Sequence, residues 1–195
     1  MHRHRYLIAA LVCFTLAALI LACGVAGAQT VTVLAGVGMS GNLGEHNPGY
    51  QAQAIAADRH GALAWESSAR FDTTDKYTGG GYALNGVFDV SVLSSRDVGL
   101  VAGVEYVYRD GGPWVKQGAW LRAGIEGRRE CEVIRVIARA TLAETDDTNS
   151  RIVQVEYRRR FGRWWVLGEG GVVWYRQAGS HVGFYSALRV GLQVK

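Results

Sequence analysis

The residues best equipped for chemistry are few and scattered. Ser180 and His181 are adjacent in a polar stretch, and Glu169 lies upstream, so a nucleophile, a base and an orienting acid are all present. Their spacing argues against that use, because neighbours on an extended chain point to opposite sides. His46, His60 and Cys131 have no ligand spacing, so no metal site is expected. Gly79-Gly-Gly81 and Gly168-Glu-Gly-Gly171 lack the lysine and the following helix of a phosphate loop, and no cofactor is expected. What remains is a patterned set of charges. Glu66, Asp89, Glu105, Glu126, Glu156 and Glu169 stand against Arg70, Arg122, Arg135, Arg139, Arg158 and Arg189, each on the face opposite a run of apolar residues. Six acids balanced by six arginines suit an enclosed space in which every ion needs a partner, since an unpaired buried charge is very costly. Lysine occurs only at Lys76, Lys116 and Lys195, outside this set. Arginine, with its planar fork, is the residue suited to enclosed ion pairs.

The elements that hold such charges must be β-strands. In Trp164-Trp-Val-Leu-Gly-Glu-Gly-Gly-Val-Val-Trp-Tyr175 the even positions are Trp164, Val166, Gly168, Gly170, Val172 and Trp174, with Glu169 on the other face. At about 3.3 Å per residue and a tilt near 45°, the two end tryptophans are roughly 23 Å apart in height. The same period-two pattern recurs at 30–40, 50–57, 62–71, 82–93, 98–109, 118–127, 131–142, 151–158 and 182–194. Polar stretches at 41–49, 72–81, 110–117, 143–150 and 176–181 alternate with tight turns at 58–61, 94–97, 128–130 and 159–163. An even-stranded, closed antiparallel meander gives this alternation of long loops and short turns. Ten strands are expected; 50–57 is the weakest, and loss of it with a neighbour would leave eight.

The apolar face carries aromatics near the strand ends: Phe71, Tyr82, Tyr106, Tyr108, Trp174 and Phe184 toward the loops, Tyr157 and Trp164 toward the turns. Trp120 falls on the charged face. Small residues (Ala35, Ala102, Ala119, Ala138, Gly168) recur on the apolar face, which lipid tolerates and a packed core fills poorly.

Residues 1–28 have the marks of an export signal. Met1-His-Arg-His-Arg5 is basic, Tyr6 to Cys23 is apolar, and Ala26-Gly-Ala28 is a small-residue exit before Gln29. Ile20-Leu-Ala-Cys23 offers a second, lipoprotein-like exit that would leave Cys23 acylated. With the first exit the barrel domain is 29–195, with 19 basic and 17 acidic residues, no footprint for nucleic acid. Cys131 is then the only thiol left, so no internal disulfide can form.

Together these features resemble small bacterial outer-membrane β-barrel proteins over the whole of 29–195. The final strand, Phe184-Tyr-Ser-Ala-Leu-Arg-Val-Gly-Leu-Gln-Val194, belongs to the resemblance, although that class commonly ends on an aromatic residue and this chain ends Val194-Lys195. The resemblance implies an all-β transmembrane barrel in the outer membrane, with the eight aromatics at the membrane interfaces. It implies membrane lipid and the barrel-insertion machinery as partners, and a small ligand or surface partner at the loops. The expected role is structural or surface-interacting, or a very narrow pore, and not enzymatic. Two alternatives stay open: a soluble or lipid-anchored periplasmic calyx binding an apolar ligand inside, and a lipid-modifying enzyme using Ser180 and His181.

Overall fold

A computed structural model describes residues 28–42, 47–74, 81–94, 97–111, 114–144, 150–175 and 182–194. The stretch before Ala28 that was expected to be an export signal, with Cys23, and Ser180 with His181 lie outside them. The described residues form ten strands: β1 (Thr30–Asn42), β2 (Asn47–His60), β3 (Leu63–Thr74), β4 (Gly81–Leu93), β5 (Val98–Gly111), β6 (Trp114–Arg129), β7 (Glu132–Glu144), β8 (Ser150–Phe161), β9 (Trp164–Tyr175) and β10 (Val182–Gln193). Each pairs antiparallel with its neighbours in sequence, and β1 pairs with β10 from Thr32↔Gln193 to Asn42↔Gly183, closing the ring. Closure leaves no open sheet edge, a requirement for any β-structure surrounded by lipid. Ten strands about 4.8 Å apart and tilted near 40° enclose a ring roughly 20 Å across between backbones.

The strands run further than the alternation of residue types indicated. β2 extends from Asn47 through His60, past the weak pattern at 50–57 on both sides. β5 and β6 continue through Arg109↔Lys116 to Gly111↔Trp114, so only two residues connect them where a loop over 110–117 was expected. Backbone ladders accept polar side chains once clear of the apolar band, and polarity therefore misplaces strand ends. The remaining loop-side connections have four, six, five and six residues, against two, four, two and two on the turn side. The two ends differ, with two exceptions: the β5–β6 link is as short as a turn, and the four-residue β4–β5 turn is as long as the β1–β2 loop. Gly61 (φ +60°) and Gly162 (φ +64°) each come first in a two-residue connection, the position where a hairpin turn of type II′ needs a left-handed residue.

The pleat sorts side chains into a wall and a lumen. Val33 and Val37 of β1, Leu100 and Val104 of β5, Ile134 and Val136 of β7, Val153 and Val155 of β8, and Leu188 and Val190 of β10 all point outward and are exposed. Trp65 stacks on Phe88 across β3 and β4 on this outer surface, ring centroids 6.5 Å apart. Among the described side chains, outward charges on the strands appear only at the two ends: Asp58, Arg129, Glu132 and Arg159 near the turns, Arg151 near the loops. A calyx that holds an apolar ligand needs the reverse arrangement. The soluble alternative is therefore corrected by the direction in which these side chains point.

Candidate functional site: the charged lumen

All twelve charges singled out above project into the barrel, and eleven are buried, Arg70 being half-buried. They fall into three clusters, joined by two further charges that the sequence placed in a loop and a turn: Asp72 at the loop side of β3 and Arg128 at the turn side of β6.

The first cluster lies nearest the turns and is built around Glu66. Arg158 Nη1 and Nη2 donate to Glu66 Oε2 and Oε1, both at 2.7 Å, in a parallel fork. Strands β3 and β8 are five steps apart in either direction round the ring, so this pair crosses the full diameter. Arg135 Nη1 of β7 donates to Glu66 Oε1 at 2.9 Å, while its Nε donates to Glu126. Glu126 Oε1 also accepts from Arg128 Nε at 2.9 Å, and Ser91 Oγ donates to Glu126 Oε2 at 3.4 Å. Glu156 Oε1 sits 2.6 Å from Arg158 Nη2, at an angle that makes it an ion contact and not a hydrogen bond. Three acids meet three arginines.

The second cluster occupies the wall from β4 to β7. Arg122 forks onto Asp89 (Nε–Oδ1 2.8 Å, Nη2–Oδ2 3.0 Å) and donates from Nη1 to Glu105 at 2.9 Å. Arg139 Nη1 reaches both Glu105 oxygens at 2.7 and 2.6 Å, and its Nη2 donates to the Tyr185 hydroxyl at 3.0 Å. Tyr185 donates onward to Gln154 at 2.9 Å. The third cluster lies across β9, β10, β2 and β3. Glu169 accepts from Arg189 Nη2 at 2.8 Å and from Arg70 Nη1 at 3.1 and 3.2 Å. Arg70 Nε and Asn85 Nδ2 both donate to Asp72 Oδ2 at 2.9 Å, and Arg189 reaches Gln51 (2.6 Å) and Gln53 (2.8 Å). Each of these two clusters has two acids and two arginines.

Every cluster is therefore neutral by itself, yet the two halves of the chain are not. Among the described side chains of these clusters, strands β3–β5 contribute Glu66, Asp72, Asp89 and Glu105 against Arg70. Strands β6–β10 contribute Arg122, Arg128, Arg135, Arg139, Arg158 and Arg189 against Glu126, Glu156 and Glu169. Beside these ions the lumen has an apolar sector. Leu34, Ile55 and Leu167 pack together with Trp165 toward the turns from Arg189. Trp120 also points inward, its ring lying over Gly118.

Two glycines make room for the ions. Gly171 faces Tyr185, whose ring occupies the place of a side chain, with Cε1 2.5 Å from where a Cβ would sit. Gly103 faces Asp89; a Cβ there would lie 2.1 Å from Asp89 Oδ1 and 2.4 Å from the Phe88 carbonyl oxygen. Gly103→Ala is expected to push Asp89 off Arg122 and to destabilise the barrel by about 2 kcal/mol. Urea unfolding in detergent, followed by tryptophan fluorescence, measures it; an unchanged midpoint would count against the packing described.

Glu169 Oε1 accepts from Arg70, and Oε2 accepts from both Arg70 and Arg189. Among the described residues no group of three or more His, Cys, Asp or Glu could hold a metal ion. The aromatics sit on the outer surface near the strand ends: Phe71, Tyr106, Tyr108, Trp174 and Phe184 toward the loops, Tyr157 and Trp164 toward the turns. The register puts Tyr82 on the same face, its side chain lying outside the description.

The sequence reading passed over Asp72, Arg128, Gln51, Gln53, Gln154 and Tyr185. The signal for Tyr185 was its phase with Arg189 along β10. For Gln51 and Gln53 it was alternation with alanines, a contrast too weak to notice.

Neither a protein-family model nor a curated protein matches the chain. Among solved structures it is similar to Neisserial surface protein A (9% identity, TM-score 0.38, 84% of this chain and 95% of that one). It is similar also to the translocator domain of the autotransporter NalP from Neisseria meningitidis (6%, 0.37, 98% and 99%). A third is the transport unit of the autotransporter AIDA-I from Escherichia coli (11%, 0.32, 84% and 90%). These are bacterial outer-membrane β-barrels, and the likeness is one of fold alone.

Proposed function

We propose that the protein is an outer-membrane β-barrel with a structural or surface-interaction role, its lumen closed to general solute passage. The observation that carries this reading is the Glu66–Arg158 pair spanning the ring inside an outer wall free of charge between its ends. An uncharged apolar exterior with outward aromatics at both ends matches the hydrocarbon slab and its two interfaces. In this reading the eight aromatics are interface anchors, and the insertion machinery is the partner that delivers the chain. A small ligand or a surface partner is met at the loop end, which the wall holds in place.

The test has two arms. Refolded in detergent, the chain 29–195 is expected to migrate faster unboiled than boiled, and to fold only with detergent or lipid. Folding in plain buffer would sink the membrane reading. In planar bilayers the same protein is expected to give no porin-like conductance, and Glu66→Ala with Arg158→Ala to raise whatever conductance is present. Large, stable channels from the unaltered chain would overturn the closed lumen.

A further inference from the structure

We infer that the barrel is oval in section and that the Glu66–Arg158 fork is a strut holding it flat, so that releasing the strut rounds the ring and opens a pore; the inference rests on the membrane reading above. The length of the pair gives the short axis. From its Cα a glutamate reaches about 5 Å and an arginine about 7 Å, so with bonds of 2.7 Å the backbones of β3 and β8 stand at most about 15 Å apart. A round ring of ten strands would put them roughly 20 Å apart. Ten ladders fix the circumference, so what the ring loses along the β3–β8 axis it gains at right angles to it, from the β1–β10 seam to the β5–β6 hairpin.

The corners such an oval needs fall at the two ends of that long axis. Where neighbouring strands meet at a gentle angle, a lumen-facing side chain has open space before it. Where they fold sharply, the neighbour's backbone takes that space and only glycine fits. At the seam, a Cβ on Gly36 would lie 1.9 Å from the Leu188 carbonyl oxygen, and one on Gly191 1.8 Å from that of Val33. At the opposite end, a Cβ on Gly99 would lie 2.2 Å from the Val92 carbonyl oxygen, and one on Gly124 2.1 Å from that of Val136. The bend at β5 also shows in the distance across it. In a flat sheet β4 and β6 would lie roughly 10 Å apart, yet they come within 8 Å of each other, Cα to Cα. Closure of the lumen is thus a property of its shape. The apolar sector of Leu34, Ile55, Leu167 and Trp165 fills the end beside the seam, the Asp89–Arg122–Glu105–Arg139 cluster lines the other end, and the fork crosses the waist between them.

The experiment measures both axes by double electron–electron resonance in the refolded chain 29–195 carrying Cys131→Ser. Nitroxides at Ala69→Cys with Val155→Cys span the short axis, and at Val104→Cys with Leu188→Cys the long one, all four being outward mid-strand positions. The short distance is expected to be at least about 5 Å less than the long one. Equal distances overturn the oval. Glu66→Ala with Arg158→Ala removes one acid and one arginine, so the cluster stays balanced. In this double variant the two distances are expected to converge and conductance in planar bilayers to rise. Distances that stay apart, or that converge without conductance, overturn the strut. Gly36→Ala keeps the strut but crowds a corner, and is expected to move the distances the same way. Gly127→Ala, whose Cβ meets nothing within 4 Å, is expected to leave them unchanged. A Gly36→Ala barrel that folds with the distances of the unaltered protein overturns the corners. Gel mobility of the same samples separates the two failures. A folded, faster band with equal axes removes this inference alone, whereas absence of that band removes the membrane reading and the inference together.

Discussion

Glu66→Gln is expected to destabilise the barrel by about 3–5 kcal/mol, the cost of leaving a buried charge without its partner. Glutamine has nearly the same volume, so little of the loss would come from packing. The cause is charge balance: the turn-side cluster would keep Arg128, Arg135 and Arg158 against only Glu126 and Glu156. Arg158 loses one bond of its fork, because the new amide keeps one acceptor oxygen and turns a donor toward it in place of the other, and it keeps its ion contact with Glu156. In a domain whose total stability is on the order of 5–15 kcal/mol, that loss decides whether the protein survives extraction. A second change separates charge from shape. Adding Arg158→Gln restores two acids and two arginines, so the double variant is expected to be more stable than Glu66→Gln alone. Urea titrations of the four proteins in lipid vesicles form the cycle, and additive single effects would show that the fork contributes nothing of its own.

Leu188→Arg is expected to cost about 2–4 kcal/mol, while Val98→Arg costs about 1 kcal/mol or less. The two positions are equally exposed, 54% and 56%, and both point outward. They differ in depth. Leu188 pairs with Gly168 near the middle of β9, whereas Val98 opens β5 beside a turn. Water would not distinguish these two arginines, but hydrocarbon would. Refolding yields in lipid vesicles of fixed thickness measure the difference, and equal yields would remove lipid from the account of the outer wall.

Much of this wall is written in the chain because its two faces meet such different surroundings. Where the contrast is strong, as in Val133 to Ala140, every residue from Ile134 onward alternates between an apolar exterior and Arg135 or Arg139 or a buried Ile137 within. Where it is weak, as in β2, alanines face outward and glutamines inward, and neither type marks its side clearly. The partners inside were less legible than the faces. Alternation sends Glu66 inward but carries no hint that Arg158 is the residue across from it, because that meeting depends on ring closure and stagger. The apolar sector of Leu34, Ile55, Leu167 and Trp165 was hidden for the opposite reason: apolar residues on both faces of a strand erase the alternation that would reveal it.

The unequal sharing of charge between the two halves of the chain has a consequence for assembly. Among the described ion clusters inside, the first five strands contribute a negative excess and the last five a positive one. Folded separately against a bilayer, each half would expose uncompensated ions to a narrow, poorly hydrated trough. Bringing them together cancels both. Attraction across the interior between the N- and C-terminal portions is therefore expected to assist closure of the β1–β10 seam. The refolding rate of Glu66→Gln reports on it: if attraction between the halves guides closure, this variant closes more slowly and does not merely reopen sooner.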